Sequence, residues 1–207
     1  MIGLHLLFPS VARLGWLTTT VDNPHADAAR ATVFLLRGQT AVFSRSFGSL
    51  CDRFRQAGVW AEDCRCIGDR WVFRFLADRV RQRAATPIIF IGHSRGGRRA
   101  IQVATTLATV GIGVDLLIGV DVAFAPPLPE SVRKAVHIYR SRRRLYPARP
   151  FRRVDAVHAD TTSLTNIDLD APGSPLAPDG LHHLNITRSP RVGDWLFDRV
   201  MSEIGST

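Results

Sequence analysis

The sequence predicts one α/β domain, built on a mostly parallel sheet of about six strands with helices on both faces. From residue 32 onwards, short apolar runs rich in β-branched residues alternate with segments whose apolar residues recur at helical spacing. The chain of 207 residues is long enough for one sizeable core, and we find no linker or internal repeat in it. We therefore assign residues 32–207 to one domain and residues 1–31 to an N-terminal extension.

The first half of this domain reads as two strand–helix pairs. A strand at residues 32–36 precedes a helix that stops at Gly58, a residue suited to the left-handed position after a helix. A second strand at residues 59–67 precedes a helix with Asp69 as its N-cap. The apolar faces of these helices are Phe43, Phe47, Leu50 and Phe54 in the first, and Val72, Leu76 and Val80 in the second.

The second half begins with a buried strand at residues 87–92 and a helix whose inward residues are mostly small. These inward residues are Ala100, Val103, Ala104 and Leu107. Three more strands follow, at residues 115–120, 132–139 and 164–169. The terminal helix has Ser189 as N-cap, Pro190 at its first position and Gly205 as its stop. Its inward face consists of Val192, Leu196 and Val200.

The segment Gly92-His93-Ser94-Arg95-Gly96 matches the pattern G-x-S-x-G and lies between a buried strand and a helix. In this setting the pattern forms a sharp turn that exposes the serine hydroxyl, and the glycines allow the close backbone approach that the turn requires. A tight turn without chemistry is the alternative. The strand before the turn and the small-residue helix after it favour Ser94 as a nucleophile.

A serine nucleophile needs a base, and that base is oriented by a carboxylate. In hydrolases with this turn, the acid and then the base follow the serine along the chain. Asp121 ends the strand at 115–120, so it belongs to the same edge of a parallel sheet as Ser94. The connection after the next strand begins with arginines rather than a carboxylate. We predict Asp121 as the acid, with Asp155 and Asp160 as the alternatives.

The base is predicted in the segment DGLHHLNI, in the last loop before the terminal helix. His182 and His183 are neighbours and cannot both point into one site. We predict His183, which Ile186 and the helix behind it anchor, and keep His182 as the alternative. His93 lies inside the turn and is interpreted as structural.

An oxyanion that forms at the attacked carbonyl needs two backbone N–H donors. The first is predicted to be the N–H of Arg95, the residue after the nucleophile. The second is predicted in the loop after the first strand, from Gln39 or Gly38. An ordinary strand-to-helix turn is the alternative interpretation of this loop.

Five segments of the chain resemble, in the same order, a group of small bacterial α/β hydrolases that are lipase- or thioesterase-like. They are FLLRGQTAVFSRSFGSL, IGHSRGG, GVDVA, TNIDL and HHLNI, and the similarity spans about residues 32–204. The resemblance implies an abbreviated α/β-hydrolase fold and a triad of Ser94, Asp121 and His183, the last because it heads the H-x-N-I segment. It also implies cleavage of an acyl ester or thioester through an acyl-serine intermediate, with no metal and no organic cofactor.

Arginine supplies almost all of the positive charge, and the formal net charge is +9. Arginines occupy the first turns of the helix after Ser94, and more arginines lie in the connection at residues 140–153. Together they predict a basic rim around the site. We predict Arg98, Arg142 and Arg143 as binding residues for an anionic acyl substrate, with a solvated loop as the alternative. No nucleic-acid-binding motif accompanies the charge, so nucleic acid is not an expected partner.

The N-terminal extension carries an apolar stripe at helical spacing, formed by Leu4, Leu7, Val11 and Leu14. Such a stripe packs on the domain or makes a peripheral contact with a membrane surface. A signal peptide is not expected, because no basic region precedes the apolar residues, and no apolar stretch reaches the roughly 18 residues that span a bilayer. The compartment stays open, and the cytoplasm is slightly favoured.

Cys51, Cys64 and Cys66 fit no disulfide framework and no metal spacing, so we expect buried thiols. A bridge between Cys51 and Cys64 is the alternative in an oxidising compartment. Two other functions also stay open. One is acyl transfer by the same triad to an acceptor other than water, and the other is a non-catalytic scaffold that binds an anionic ligand or a membrane surface.

Overall fold

The structure is a computed structural model. It describes residues 18–19, 29–38, 44–64, 78–81, 87–141, 153–157, 160–174, 176 and 180–206. The apolar stripe predicted near the N-terminus, the N-cap at Asp69 and the third cysteine, Cys66, lie outside these residues. The domain boundary predicted at residue 32 stays a prediction.

A seven-stranded sheet forms the centre of the domain, in the order β1-β3-β2-β4-β5-β6-β7. The strands are β1 (Thr18–Thr19), β2 (Thr32–Leu36), β3 (Trp60–Cys64), β4 (Ile88–His93), β5 (Val114–Val120), β6 (Val132–Tyr139) and β7 (Ser163–Asp168). Six strands are parallel, and β1 pairs antiparallel with the outer edge of β3. The predicted α/β class with a mostly parallel sheet of about six strands is confirmed.

Most strand boundaries follow the sequence closely. The strand predicted at residues 59–67 begins at Trp60, and its last three predicted residues lie outside the described part of the chain. The predicted bounds of β2 and β6 match the structure, and those of β4, β5 and β7 differ by a single residue at one or both ends. The strand predicted from Pro87 begins at Ile88, because proline has no N–H to donate to a ladder. The carbonyl of Pro87 still accepts a hydrogen bond from the N–H of Thr32 at 3.0 Å.

Among the described residues, three long helices and one short one surround the sheet. They are α1 (Ser46–Gln56), α2 (Arg95–Ala108), α3 (Pro190–Gly205) and a 3₁₀ turn at Ile186–Arg188. Residues 78–81 are also helical. The described helices thus cover both faces of the sheet, as the apolar spacing predicts.

Alternate residues of each strand point to opposite faces of the sheet, and this creates two apolar cores. On one face, Val33 and Leu35 of β2 share a core with α1 and α3. On the other, Phe34 and Leu36 share a core with α2 and Val80. Both cores are closed to solvent, so the strand residues read as continuous apolar runs, as expected for a parallel sheet covered on both sides.

The helix ends use the capping residues that the sequence indicates. Gly58 has φ +76°, and its N–H donates to the carbonyl of Arg55 at 3.0 Å. The N–H of Val59 donates to the carbonyl of Phe54 at 3.0 Å, which completes a Schellman motif. At the start of α3, the Ser189 hydroxyl accepts from the N–H of Val192, and a proline occupies the first turn.

Two of the cysteines lie in the core. Cys51 and Cys64 are buried thiols and no disulfide joins them, so the alternative of a bridge between them is wrong for this structure. Burial raises the pKa of the Cys51 thiol to about 12. This thiol is therefore protonated and weakly nucleophilic at neutral pH.

Glycines allow α2 to lie directly on the sheet. A Cβ at Gly96 would be 2.1 Å from the carbonyl oxygen of Leu36, and one at Gly92 would be 2.5 Å from the Cα of Gly97. These neighbours are backbone atoms and cannot rotate away. The first turn of α2 therefore packs against the ends of β2 and β4 at a distance that only glycine permits.

We expect Gly96→Ala to lower the free energy of unfolding by about 3 kcal/mol or more, since the new methyl group overlaps a fixed carbonyl. Gly193→Ala is the matched control, because a Cβ there meets nothing within 4 Å. In the helix interior, that change should stabilise the protein by about 0.5–1 kcal/mol. Urea denaturation measures both values. Equal stability of the two variants would contradict the steric argument.

Candidate active site

The candidate site lies at the edge of the sheet where the parallel strands end, which we call the carboxyl edge. The strand β2 lies between β3 and β4 in the sheet. The connection after β2 therefore leads to one side of it, and the next connection returns to its other side. In open α/β sheets such a reversal leaves a crevice outside the strand ends, where ligands bind. Gly38 follows β2 at this edge, and Ser94 follows β4.

Ser94 occupies a strained turn between β4 and α2. Its backbone angles are φ 55° and ψ −122°, a region that residues other than glycine rarely adopt. Its N–H donates to the carbonyl of Val120 at 2.9 Å, and its carbonyl accepts from the N–H of Ala123 at 3.3 Å. The turn after β5 thus holds the Ser94 backbone on both sides. The Ser94 residue is 8% exposed, so its hydroxyl sits at a nearly closed surface.

Asp121 and His183 meet beside this turn. The Nδ1 atom of His183 lies 2.7 Å from Oδ2 of Asp121. Asp121 is fully buried, whereas the His183 side chain is 18% exposed. An ionised carboxylate can only accept, so Nδ1 of His183 carries the proton and Nε2 is left as the basic nitrogen.

The structure does not join all three residues of the predicted triad. No hydrogen bond connects the Ser94 hydroxyl to the His183 imidazole in this geometry. His183 nevertheless lies against the Ser94 turn, since its ring centroid is 4.8 Å from that of His93. Catalytic hydrogen bonds in ligand-free sites are often long and shorten when substrate binds.

The adjacent His182 takes a different position. Its residue is exposed, and its Nδ1 accepts a hydrogen bond from the N–H of Leu184 at 3.2 Å. Its own N–H donates to Oδ1 of Asn185 at 2.6 Å. These bonds hold His182 within the turn, and it is His183 that contacts the buried carboxylate.

The alternative carboxylates lie apart from this arrangement. Asp155 and Asp160 are both exposed. The carbonyl of Asp155 accepts from the N–H of Leu128 at 2.8 Å, in a short bridge between two connections. Among the described carboxylates, Asp121 is the one hydrogen-bonded to the His183 ring.

The turn after β5 carries Asp121, and we call it the acid turn. Its residue Val122 packs closely against the neighbouring elements. A Cβ at Gly97 would lie 2.4 Å from a methyl group of Val122, and one at Gly119 would lie 2.6 Å from the same methyl. The N–H of Val122 donates to Nε2 of His137 on β6 at 3.1 Å. The acid turn is therefore fixed by the packing of Val122 and by the hydrogen bond from the Val122 N–H to His137.

The loop after β2 lies against the Ser94 turn. A Cβ at Gly38 would be 3.4 Å from the Cβ of Ser94 and 3.2 Å from Nδ1 of His93. The N–H of Gly38 donates to the hydroxyl of Ser44 at 3.2 Å, so this N–H already has an acceptor within the protein. Gln39, the other predicted donor of this loop, lies outside the described residues.

A buried ion pair anchors the start of the same loop. Nε of Arg37 lies 2.7 Å from Oδ1 of Asp63, and Nη2 of Arg37 contacts the second carboxylate oxygen. The two residues are 6% and 3% exposed. A two-point pair between a guanidinium and a carboxylate fixes relative orientation as well as distance. It therefore fixes the end of β2 against β3, immediately before Gly38.

Two apolar side chains are exposed near Asp121 and His183 in the sequence. Phe124 follows Asp121 by three positions and is 60% exposed, and Leu184 follows His183 and is 41% exposed. Phe124 also has φ +51°, and Asp121 has φ +50°. With Ser94, these are the non-glycine residues of the described chain in the left-handed region, and all three lie at the carboxyl edge.

Of the arginines predicted to form the basic rim, the structure describes those on α2 and, in the connection, Arg140 and Arg153. Arg140 forms an ion pair with Asp170. Arg95 and Arg98 are exposed in the first turn of α2, and no acidic residue accompanies them there. The N–H of Arg95, the predicted oxyanion donor, is the first amide of α2 and has no partner within the helix. Arg142 and Arg143 lie outside the described residues.

The sequence did not predict the hydrogen bonds that Ser44 and His93 make beside the candidate site. A serine before a helix is ordinarily a cap, and a histidine inside the turn is interpreted as structural. In the structure Oγ of Ser44 lies 2.8 Å from Nδ1 of His93, and Nε2 of His93 lies 3.0 Å from the carbonyl oxygen of His183. Gly92 and Ser94, the sequence neighbours of His93, gave no signal for these contacts, which join distant parts of the chain.

Within the part of the chain that is described, no helix is both long and apolar enough to cross a membrane. That finding concerns helices alone.

No protein-family profile matches the sequence, and no curated protein does either. Solved structures do resemble the fold. RedJ, a thioesterase from the prodiginine biosynthetic pathway in Streptomyces coelicolor, is 13% identical, with a TM-score of 0.55 over 89% of this chain and 97% of its own. The thioesterase domain SrfTE, described for the cyclization of the lipopeptide antibiotic surfactin, is 9% identical, with a TM-score of 0.55 over 89% and 95%.

Lipase B of Aspergillus fumigatus is 13% identical, with a TM-score of 0.61. The match covers 92% of this chain but only 56% of the lipase. At such identities the likeness demonstrates the fold and not the activity. The chain has an α/β-hydrolase fold.

We expect Asp121→Asn to lower kcat by about three to four orders of magnitude, because the neutral amide no longer fixes the His183 tautomer or stabilises its cation. Asp155→Asn is the matched control and should leave kcat within about twofold, since this residue is exposed and Asp121 is the carboxylate bonded to the imidazole. Steady-state kinetics on a chromogenic ester measure both. A stronger loss in the Asp155 variant would move the acid to that position.

Proposed function

We propose that this protein, which has an α/β-hydrolase fold, is a serine hydrolase that cleaves an acyl ester or thioester. Ser94 is the nucleophile, His183 the general base and Asp121 the orienting acid. The observation that carries the proposal is the 2.7 Å contact between His183 and the buried Asp121 beside the strained Ser94 turn. A buried carboxylate, an imidazole that it orients and a serine in a sharp strand-to-helix turn are the parts of acyl transfer chemistry.

In the first half of the proposed reaction, Oγ of Ser94 attacks the acyl carbonyl while Nε2 of His183 removes its proton. Asp121 stabilises the imidazolium that forms. His183 then protonates the leaving alcohol or thiol, the bond to that group breaks, and the acyl group stays on Ser94. In the second half, His183 takes a proton from water and the resulting hydroxide equivalent attacks the carbonyl carbon of the acyl-serine. The bond between that carbon and Oγ of Ser94 then breaks, His183 returns the proton to Oγ, and the carboxylic acid leaves.

Two backbone amides are proposed to stabilise the negative oxygen of the tetrahedral intermediate. The N–H of Arg95 is supported by its place at the start of α2, where amides have no helical partner and the helix dipole is positive. Gln39 is the second donor that we propose. Its neighbour Gly38 has its own N–H engaged by the Ser44 hydroxyl, which leaves Gly38 to bring the chain close to Ser94.

The proposed substrate is an acyl compound with an apolar chain. Phe124 and Leu184 are exposed on the loops that carry Asp121 and His183, and an apolar chain would cover both. The structural neighbours include two thioesterases and a lipase, and this likeness supports the class. A peripheral membrane contact through the N-terminal extension remains a further proposal from the sequence.

Ser94→Ala should abolish labelling by a fluorophosphonate probe and lower kcat by about four to six orders of magnitude, because the nucleophile is lost. Ser202→Ala, at an exposed position of α3, is the control and should label fully. His183→Ala should be almost as inactive as Ser94→Ala, and His182→Ala should lose little. Labelling of the Ser94 variant at the wild-type rate would refute the mechanism, and inverse ranking of the histidines would move the base to His182.

We further propose that the acyl substrate is anionic. Arg95 and Arg98 are exposed where the helix dipole already disfavours cations, and an anionic group on the substrate would offset that repulsion. Arg142 and Arg143 belong to the same proposal on the grounds of sequence. The charges would lie at the rim of the site, where they assist binding rather than the chemical step.

Arg98→Gln should raise KM for an anionic ester about two- to fivefold and leave kcat unchanged, because an exposed charge pair contributes less than about 1 kcal/mol. A neutral ester of equal length should show no change. Arg30→Gln removes the same charge from an exposed site before β2, at the opposite edge of the sheet, and should not affect either substrate. The anionic preference should also shrink between about 0.1 M and about 1 M salt. Equal salt dependence for both esters would rule out a basic rim.

A further inference from the structure

His93 is the buried polar residue at the end of β4, immediately before Ser94. It is 2% exposed, and its ring stands against the ring of His183, with the centroids 4.8 Å apart. Its two nitrogens face different parts of the chain. Nδ1 lies 2.8 Å from Oγ of Ser44, before α1, and Nε2 lies 3.0 Å from the carbonyl oxygen of His183.

The partners at the two ends fix the direction of every hydrogen bond between them. A carbonyl oxygen only accepts, so Nε2 of His93 donates to the His183 carbonyl. In neutral histidine Nδ1 then accepts, and the Ser44 hydroxyl donates to it. The oxygen of Ser44 in turn accepts from the N–H of Gly38 at 3.2 Å. One continuous series of donors runs from the loop after β2 to the backbone of the proposed base.

A second contact ties the same two regions together. The hydroxyl of Ser46, at the start of α1, lies 2.5 Å from the carbonyl oxygen of Thr187, four residues after His183. The His183 loop is therefore held at two separate points, at the His183 carbonyl by His93 and at the Thr187 carbonyl by Ser46. The His183 side chain is fixed by Asp121, and its main chain is fixed by His93.

We propose that His93 is a positioning residue, and that Gly38, Ser44 and His93 form a relay that sets the place of the His183 imidazole over Ser94. The inference rests on the proposed function, because it assigns a role in that mechanism. Asp121 fixes the orientation and tautomer of the imidazole, while the relay fixes the backbone from which the imidazole extends. A displacement of about 1 Å in a reacting group is enough to lower turnover about 100-fold.

The relay also couples two parts of the proposed mechanism. Its first donor, Gly38, precedes Gln39, the proposed oxyanion donor, and its last acceptor belongs to the base. Because both are bonded to the same His93 ring through at most one side chain, a shift of the ring moves them together.

The first test reads the relay without reference to activity. Two-bond ¹H–¹⁵N correlation spectra of the ¹⁵N-labelled protein at neutral pH should show His93 neutral, with its proton on Nε2. His93→Gln identifies the signal by its loss. A proton on Nδ1, or on both nitrogens, would overturn the relay whatever the protein hydrolyses.

The second test separates positioning from packing. His93→Phe keeps a ring of similar size but removes both hydrogen bonds, and it should lower kcat about 100-fold with KM within about twofold. His93→Gln places an amide N–H near the position of Nε2, so it should recover about tenfold of that loss. Ser44→Ala should lower kcat about tenfold. Fluorophosphonate labelling should be slower in each by a similar factor but should reach completion, since Ser94 is intact.

Thr162→Val is the control for a lost buried hydrogen bond away from the site, because the Thr162 hydroxyl donates to the carbonyl of Val132 at 2.9 Å. It should lower the melting temperature and leave kcat unchanged. A His93→Phe variant with wild-type kcat, or a Gln variant no better than the Phe variant, would overturn the positioning role. If the wild-type protein neither labels nor hydrolyses any ester or thioester, the proposed function fails instead, and the spectra alone still decide the relay.

Discussion

The close contact between the first turn of α2 and the ends of β2 and β4 is the constraint on which the site depends. Glycine at positions 92, 96 and 97 leaves no side chain between backbone segments that would otherwise overlap. Because the helix can begin directly on the sheet, Ser94 must turn sharply between them. The same closeness brings Val122 against Gly97 and sets where the acid turn leaves β5.

Around that contact, the site is assembled by hydrogen bonds between neighbouring strand ends rather than by one long loop. The Ser94 backbone is bonded to the turn after β5, that turn is bonded to His137 on β6, and the loop after β2 is pinned by Arg37 and Asp63. Parallel strands make this possible because all their carboxyl ends lie at one edge. The groups proposed for catalysis therefore come from distant parts of the sequence but share a rigid base.

The fold and the triad candidates could be predicted because they leave local signals. Buried parallel strands are continuous apolar runs, so the bounds of β2 and β6 are readable, and Ser94 lies in a recognisable motif. Asp121 followed from its place at a strand end. By contrast, β1 has two residues and no periodicity, and the contacts of Ser44, His93 and Asp63 join positions that are 26 to 90 residues apart. Such contacts depend on tertiary packing, which no local pattern encodes.

The three left-handed residues at the carboxyl edge place this chain under two opposing selective pressures. Each conformation at Ser94, Asp121 and Phe124 costs of order 1–3 kcal/mol that glycine would not incur. A laboratory evolution experiment that screens for heat resistance alone would therefore accumulate glycine at exposed Phe124 first, where the fewest contacts are lost. A screen that also rewards turnover would keep a side chain there. The distribution of glycine among evolved survivors would thus record which residues at this edge are retained for chemistry.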